Sequence, residues 1–513
     1  ITVTITEYAL RTETAFADNL SDSIDSNTMT SLSNNAYNNW NFVWSSSEFS
    51  NVHPFVQMGL NEVLPYTDGT NYLTGVGETI HVADFNCNTN MDIFDNKTIL
   101  NLDDGGAGES TFANDTADDY HCNAVAGIAA GDDRGNSDGI YWYGVASDAD
   151  LVLSSIPNTE GTWDFDDYAA DLDSARTAGA VVSNNSWGFT QDTNSDGDAD
   201  SSYDASEFQS DYDSNKASLS LDQIAGNEFE GGSFGSAQTS AWQSYITALD
   251  NFQNSGVIVF ANGNFSGDSD ASAIASLPVW YNGGTDALGN AVEDLSDAWL
   301  TVNWANFTGT DMTGITESEF TLKGNPCGKA KEFCLTVDSY AMNVPTWYNE
   351  STGANNLATG QVGGSSYSAP MVSGGIALLA QAFPNHTAAQ LTDRVLASAN
   401  NSWFTASGST TFTTHGASIR HGYSDTWGHG LPDFHAALSP ITSNANPASF
   451  MLGQSLSSGY ADSGERHSLS SSSLSLSSAL ASSGLAQGIS GTKAYFYDAL
   501  AGGFEYDLSN IVY

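Results

Sequence analysis

The segment Gly364-Ser365-Ser366-Tyr367-Ser368-Ala369-Pro370, with the apolar run behind it, constrains this chain most strongly. Residues 371–383, Met-Val-Ser-Gly-Gly-Ile-Ala-Leu-Leu-Ala-Gln-Ala-Phe, are small or apolar on nearly every face, which predicts a helix buried all round. Pro370 suits the first helical position, where an N–H is not needed. Ser366 then stands just ahead of the helix N-terminus, where the helix dipole favours a developing negative charge. Such a place fits a nucleophile as well as an ordinary N-cap serine. A nucleophilic serine requires a base, an orienting carboxylate and an oxyanion donor elsewhere in the chain.

The chain around this segment alternates short apolar strands with helices. Thr79-Ile-His-Val-Ala-Asp84 reads as a strand ending in a carboxylate, and further strands are expected at 151–156, 180–185 and 257–261. Helices are expected from Asp119-Tyr120-His121 through Ala130, over 166–178 and 239–254, and from the capping box Thr387-Ala-Ala-Gln390 to 399. The pattern predicts an α/β fold: a mostly parallel sheet with helices on both faces and ligand sites at the carboxyl ends of its strands. Asp84 stands at such an end. Residues 1–52 read as an N-terminal extension that opens on an alternating strand at 1–10, and 53–440 as the main domain. Residues 441–513 read as a Ser-rich C-terminal segment ending in a β-hairpin near 493–509. The terminal strands carry unpaired edges, which predicts that each adds to a sheet in its own chain or a neighbour's; self-assembly is the second outcome.

Gly364-Ser-Ser366-x-Ser-Ala-Pro followed by Met-Val-Ser-Gly resembles the nucleophile segment of the subtilisin-like serine proteases. The resemblance extends over about 53–440 and implies Ser366 as nucleophile, His121 as base, Asp84 as orienting acid and Asn264, in Ala261-Asn-Gly263-Asn264, as oxyanion donor. The order Asp84, His121, Ser366 is the subtilisin order. Ser183-Asn-Asn-Ser186-Trp187-Gly188 resembles the strand along which substrate peptides pair in that family, so Ser186, Trp187, Gly188, Ala261 and Gly263 are expected to bind substrate. Trp187 fits either a side-chain pocket or the core. Closer similarity is to the subtilisin-like passengers of bacterial autotransporters, carried by Cys327-Gly-Lys-Ala-Lys-Glu-Phe-Cys334, Gln381-Ala-Phe-Pro-Asn385, the closure Gly428–Ala437 and the tail strands. Two segments depart from the family: His-Gly-Thr-His is His121-Cys122-Asn123-Ala124, and the Asp-Thr/Ser-Gly after the strand is Asp84-Phe85-Asn86.

The resemblance implies a secreted or bacterial cell-surface serine endopeptidase acting on polypeptides. The altered flanks also leave room for a structural or assembly protein built on the same fold. Composition agrees with a secreted protein working in salty water: 12 Lys+Arg against 61 Asp+Glu give a net charge of −49. Clustered cations for phosphate contacts are lacking, so nucleic-acid binding is not expected. No run of 18 or more apolar residues occurs, so no transmembrane helix is expected, and the start at Ile1 reads as a processed form. Four cysteines without a Cys-x-x-Cys pair suggest disulfides, for which three pairings exist. Cys327 and Cys334 are expected to close a local loop, leaving Cys87, near Asp84, to pair with Cys122 beside His121 once the triad assembles. Asp192-Thr-Asn194-Ser-Asp196-Gly197-Asp198-Ala-Asp200, with Asp204 as a late carboxylate, resembles half of an EF-hand loop and predicts a structural calcium site.

Overall fold

The computed structural model describes most of residues 53–441 and, beyond them, the strands at 449–452, 467–469, 493–497 and 503–507 with Leu500. Residues 1–52, 453–466, 470–492 and several internal stretches, including 64–70, 85–88, 103–118, 135–140 and 156–163, lie outside the described residues, as therefore does the expected strand at 1–10.

The central sheet is built from β1 (Thr79–Asp84), β2 (Ile99–Asn101), β3 (Asp150–Ser155), β4 (Ala180–Asn185), β5 (Val257–Ala261), β6 (Trp299–Phe307), β7 (Phe320–Leu322) and β8 (Cys334–Asp338). Their order is β7-β6-β5-β4-β1-β3-β2, with β8 also on β6. Every pairing is parallel except β6 with β7. Val257–Ala261 is buried along its whole length, as a strand covered on both faces must be. One core, on the side of α1 (Asp119–Ala130) and α4 (Ser365–Ala382), gathers Ile80, Val82, Val259, Val302 and Val372. The other, on the side of α2 (Phe165–Thr177) and α3 (Ser236–Gln253), is aromatic, with Phe165, Trp242 and Phe260 at its centre. The fold is thus the expected α/β one. β6 was not anticipated: Thr301 and Asn303 interrupt its apolar pattern, yet both are fully buried, bonding Ala275 O at 2.6 Å and Thr426 O at 3.0 Å.

Thr387 caps α5 (Ala388–Ser398) in the capping box with Gln390. In the tail, β11 (Lys493–Tyr497) and β12 (Gly503–Asp507) form the predicted hairpin. It adds to its own chain, β11 to β9 (Ser449–Leu452) and β12 to β10 (His467–Leu469). Leu500 at its turn is buried against Ile419, and its carbonyl lies 3.2 Å from His386 Nε2. Among the described residues no helix is long and apolar enough to cross a membrane.

Candidate active site

β1 delivers Asp84 as its last residue, 1% exposed, and α1 opens beside it with His121 in its first turn. Asp84 Oδ1 accepts a hydrogen bond from His121 Nδ1 at 2.7 Å. With Nδ1 as donor, Nε2 is left as the basic nitrogen. Burial, the largest influence on the imidazole, disfavours its charged form. The Asp84 charge and hydrogen bond together outweigh it and hold the His121 pKa above its ordinary value. The Tyr367 ring lies 5.7 Å from the His121 ring, which puts the residue after Ser366 against the imidazole.

α4 begins at Ser365 rather than at Pro370, the first position suggested by the sequence, so Ser366 is its second residue and Pro370 lies inside it. The proline has no N–H to offer the carbonyl four residues back, which is that of Ser366. Ser186 supplies the missing donor: its Oγ donates to Ser366 O at 2.8 Å, while Ser366 Oγ donates to Ser186 O at 3.2 Å. Ser186 Oγ is in turn held by Asn184 Nδ2 at 2.9 Å, and Asn184 Oδ1 by Ser373 Oγ, one helical turn past the proline, at 3.0 Å. In this arrangement the Ser366 hydroxyl thus directs its proton to Ser186 O.

Asn264, in the loop after β5, accepts from Ser365 N–H at 2.8 Å and from Ser365 Oγ at 2.9 Å through Oδ1. Because a backbone N–H can only donate, these bonds fix the amide orientation and leave Nδ2 as the outward donor. Gly263 N donates to the same Ser365 Oγ at 3.1 Å. At φ +110° a Cβ here would stand 2.5 Å from Asn325 Oδ1, so only glycine fits. Ser365 was not singled out from the sequence, although its place in the Gly-Ser-Ser triplet was the available signal. Ser339 was missed as well: its Oγ donates to Gly364 O at 2.8 Å, and nothing in the local sequence marks it.

The expected substrate residues divide. Ser186 meets Ser366 and Gly263 meets Ser365 at the strand ends, Gly188 lies two residues past Ser186 with Ser272 as its neighbour, and Ala261 is buried at the end of β5. Trp187 is a core residue, 7% exposed, with its ring 5.3 Å from Phe260 and 6.0 Å from Tyr168. In the acidic loop, Asp196 and Asp198 lie outside the described residues. Asp200 Oδ1 accepts from Thr193 N at 3.0 Å and from Thr193 Oγ1 at 2.7 Å, and Ser195 between them takes a left-handed φ of 60°. Asp192 and Asn194 belong to the same loop, but Asp204 caps the next helix through Ser206 N and Glu207 N and accepts from Ser269 Oγ. Among the described residues no three His, Cys, Asp or Glu side chains form a metal cluster. Cys327 and Cys334 are bridged as expected. Cys122 is also disulfide-bonded, but Cys87 lies outside the described residues.

A mostly parallel sheet that sets an Asp–His pair at one strand end, beside a serine in the first turn of a buried helix, defines a subtilisin-like fold. The chain belongs to the subtilase family: the family model Peptidase_S8, described as Subtilase family, matches residues 22–423. A relative from Serratia marcescens, an extracellular serine protease, is 26% identical over 371 residues, covering 68% of this chain and 31% of the relative. The chain thus spans about a third of that relative's length. Similar solved structures include fervidolysin from Fervidobacterium pennivorans, described as a keratinolytic enzyme related to subtilisin (17% identity, 77% of this chain, 47% of that one, TM-score 0.44). MycP1 from Mycobacterium smegmatis is another (18% identity, 77% and 86% coverage, TM-score 0.42).

Proposed function

We propose that this chain is an extracellular serine endopeptidase in which Asp84, His121 and Ser366 form the catalytic triad and Asn264 donates to the oxyanion. The observation that carries the reading is the 2.7 Å Asp84–His121 bond, at the strand end beside the first turn of the helix holding Ser366. In the reaction, Ser366 Oγ leaves Ser186 O, passes its proton to His121 Nε2 and attacks the scissile carbonyl. Asp84 keeps Nδ1 protonated and stabilises the imidazolium that forms. Asn264 Nδ2, its orientation set by Ser365, supports the oxyanion, a contribution worth about 3–4 kcal/mol of barrier, the scale known for subtilisin itself. His121 then protonates the leaving amine, and water repeats the sequence on the acyl-enzyme. The substrate backbone pairs with residues 186–188 as an added strand.

Fluorophosphonate labelling tests this directly. A single covalent adduct on Ser366, found by peptide mass spectrometry, is the expected result. A folded sample that takes up no label would favour a scaffold on which the chemistry has been lost.

We also propose that the loop 192–200 binds calcium through Asp192, Asn194, Asp196, Asp198 and Asp200, with Asp204 left to its helix. Crowded carboxylates in so acidic a chain repel one another, and a cation relieves that repulsion. Adding a chelator is expected to lower the melting temperature by a few degrees, and restoring calcium to recover it. An unchanged melting curve removes the site. A bridge from Cys122 to Cys87 completes this reading. It ties the helix carrying the base to the segment just after Asp84, where the family's usual residues are replaced.

A further inference from the structure

Beyond Asn264, at the far end of the row of strand ends, stands Lys323, a cation that meets no carboxylate among the described residues. β7 pairs with the C-terminal half of β6 on the edge that β5 leaves at Ala261, so Leu322 and Lys323 rise directly past the loop of Asn264. Gly324 N lies 3.3 Å from Trp304 O and Asn325 N 3.4 Å from Gly263 O, which fastens Lys323 to that loop. The Trp304 indole fills the space between the two loops of the site: a Cβ on Gly324 would touch its Cδ1 and Gly263 O, and a Cβ on Gly363 would come 2.8 Å from its Cζ3. Its Nε1–H meets no acceptor among the described residues, so the ring serves by its bulk and its face. Tyr340 stacks on it, with ring centroids 6.4 Å apart and planes at 21°. Lys323 Nζ sits 5.0 Å above the Tyr340 ring.

Two features of this ladder call for a ligand. Tyr340 is 46% exposed, although stacked on a tryptophan wedged against Gly363, three residues before Ser366. Lys323 reaches no oxygen among the described residues. The other lysines and arginines with described side chains each reach a carboxylate, a carbonyl or a hydroxyl oxygen. With 61 acidic residues in the chain, a cation left to an aromatic face beside the active site is a conspicuous exception. Its place relative to the substrate follows from the sheet. In the proposed function the acyl half of a peptide pairs at 186–188, just past β4; β7 and the ladder stand past the β5 loop of Asn264, on the side left to the leaving-group half.

We propose that Lys323, poised on Tyr340 and Trp304, is a specificity-determining residue that selects an acidic side chain in the leaving-group half of the substrate. The proposal rests on the peptidase reading of the site. The carboxylate replaces the aromatic face as partner of Nζ, while Tyr340 covers the aliphatic part of the bound side chain. The protein's own charge repels acidic peptides at long range, but at about 0.15 M salt the Debye length is about 8 Å, so a contact pair survives where distant charges are screened.

The test is positional scanning of quenched fluorescent peptides at the three positions after the scissile bond, in physiological salt, with cleavage sites read by mass spectrometry. One position is expected to prefer Glu over Lys by about 10-fold in kcat/KM, attraction and repulsion at a part-exposed pair each being worth a few-fold. In Lys323→Gln that ratio falls to near one. In Lys323→Glu it inverts. Cleavage without any acidic preference, or a preference that survives Lys323→Gln, overturns the role of Lys323 and leaves the peptidase intact. Absence of both cleavage and fluorophosphonate labelling overturns the two together.

Discussion

Replacing Ser366 with alanine is expected to lower kcat by about 10⁶-fold, the scale known for loss of the serine in subtilisin, while the protein stays folded. The variant loses one hydroxyl and its 3.2 Å bond to Ser186 O, an interaction worth about 1 kcal/mol. The more important latch, Ser186 Oγ to the Ser366 carbonyl, is untouched because it uses the backbone. Circular dichroism and the melting temperature should therefore match the parent, and fluorophosphonate labelling should vanish. Activity within 10-fold of the parent would place the nucleophile elsewhere.

Asp84→Asn is expected to cost about 10⁴-fold in kcat, because an amide no longer enforces the tautomer with Nε2 as base. It should also move the acid limb of the pH profile, and the sign is fixed by the site. As the proposed base His121 acts in its neutral form, and its pKa stands above the ordinary value, so parent activity is expected to fall as pH drops through a point above about 6.5. Without the carboxylate, burial alone acts on the imidazole and lowers its pKa. The residual activity of the variant should then persist to lower pH than that of the parent. A limb that stays in place would show that Asp84 does not govern the titration of His121.

Much of this site was legible in the chain because its pieces are local signals. Asp84 ends an apolar strand, His121 opens a helix, and Ser366 sits in a triplet before an all-apolar run. Periodicity and capping, which short windows carry, place these residues at a strand end and at two helix starts; their roles came from the resemblance to the subtilisin-like proteases. The helix start was misread because Pro370 looks like a first-turn residue. Only the fold reveals that a donor from another strand compensates for its missing N–H. Trp187 could not be assigned, since a tryptophan beside a substrate strand satisfies core and pocket alike until its neighbours Phe260 and Tyr168 are known. Lys323, Trp304 and Tyr340 come from three separate stretches and meet only because β7 takes up the edge that β5 vacates. Register of that kind leaves no trace in any one segment. Asp204 illustrates the converse: an acidic residue in a run of acids, read as a ligand, is claimed by the helix that begins after it.

The exchange of partners at Pro370 has a consequence for how the site endures. Helix ends ordinarily fray, since their first N–H and last C=O groups lack partners within the helix, and a reactive group in the first turn is exposed to that motion. Here the carbonyl of Ser366, the proposed nucleophile, is bound by a serine that follows β4, so unwinding the turn requires breaking a contact with the sheet. Opening at Ser366 is thereby coupled to opening of the strands beneath it. In amide exchange the first turn of this helix should behave as part of the slowest-exchanging body of the protein. The bond that proline denies to the helix gives the serine the permanence of the sheet.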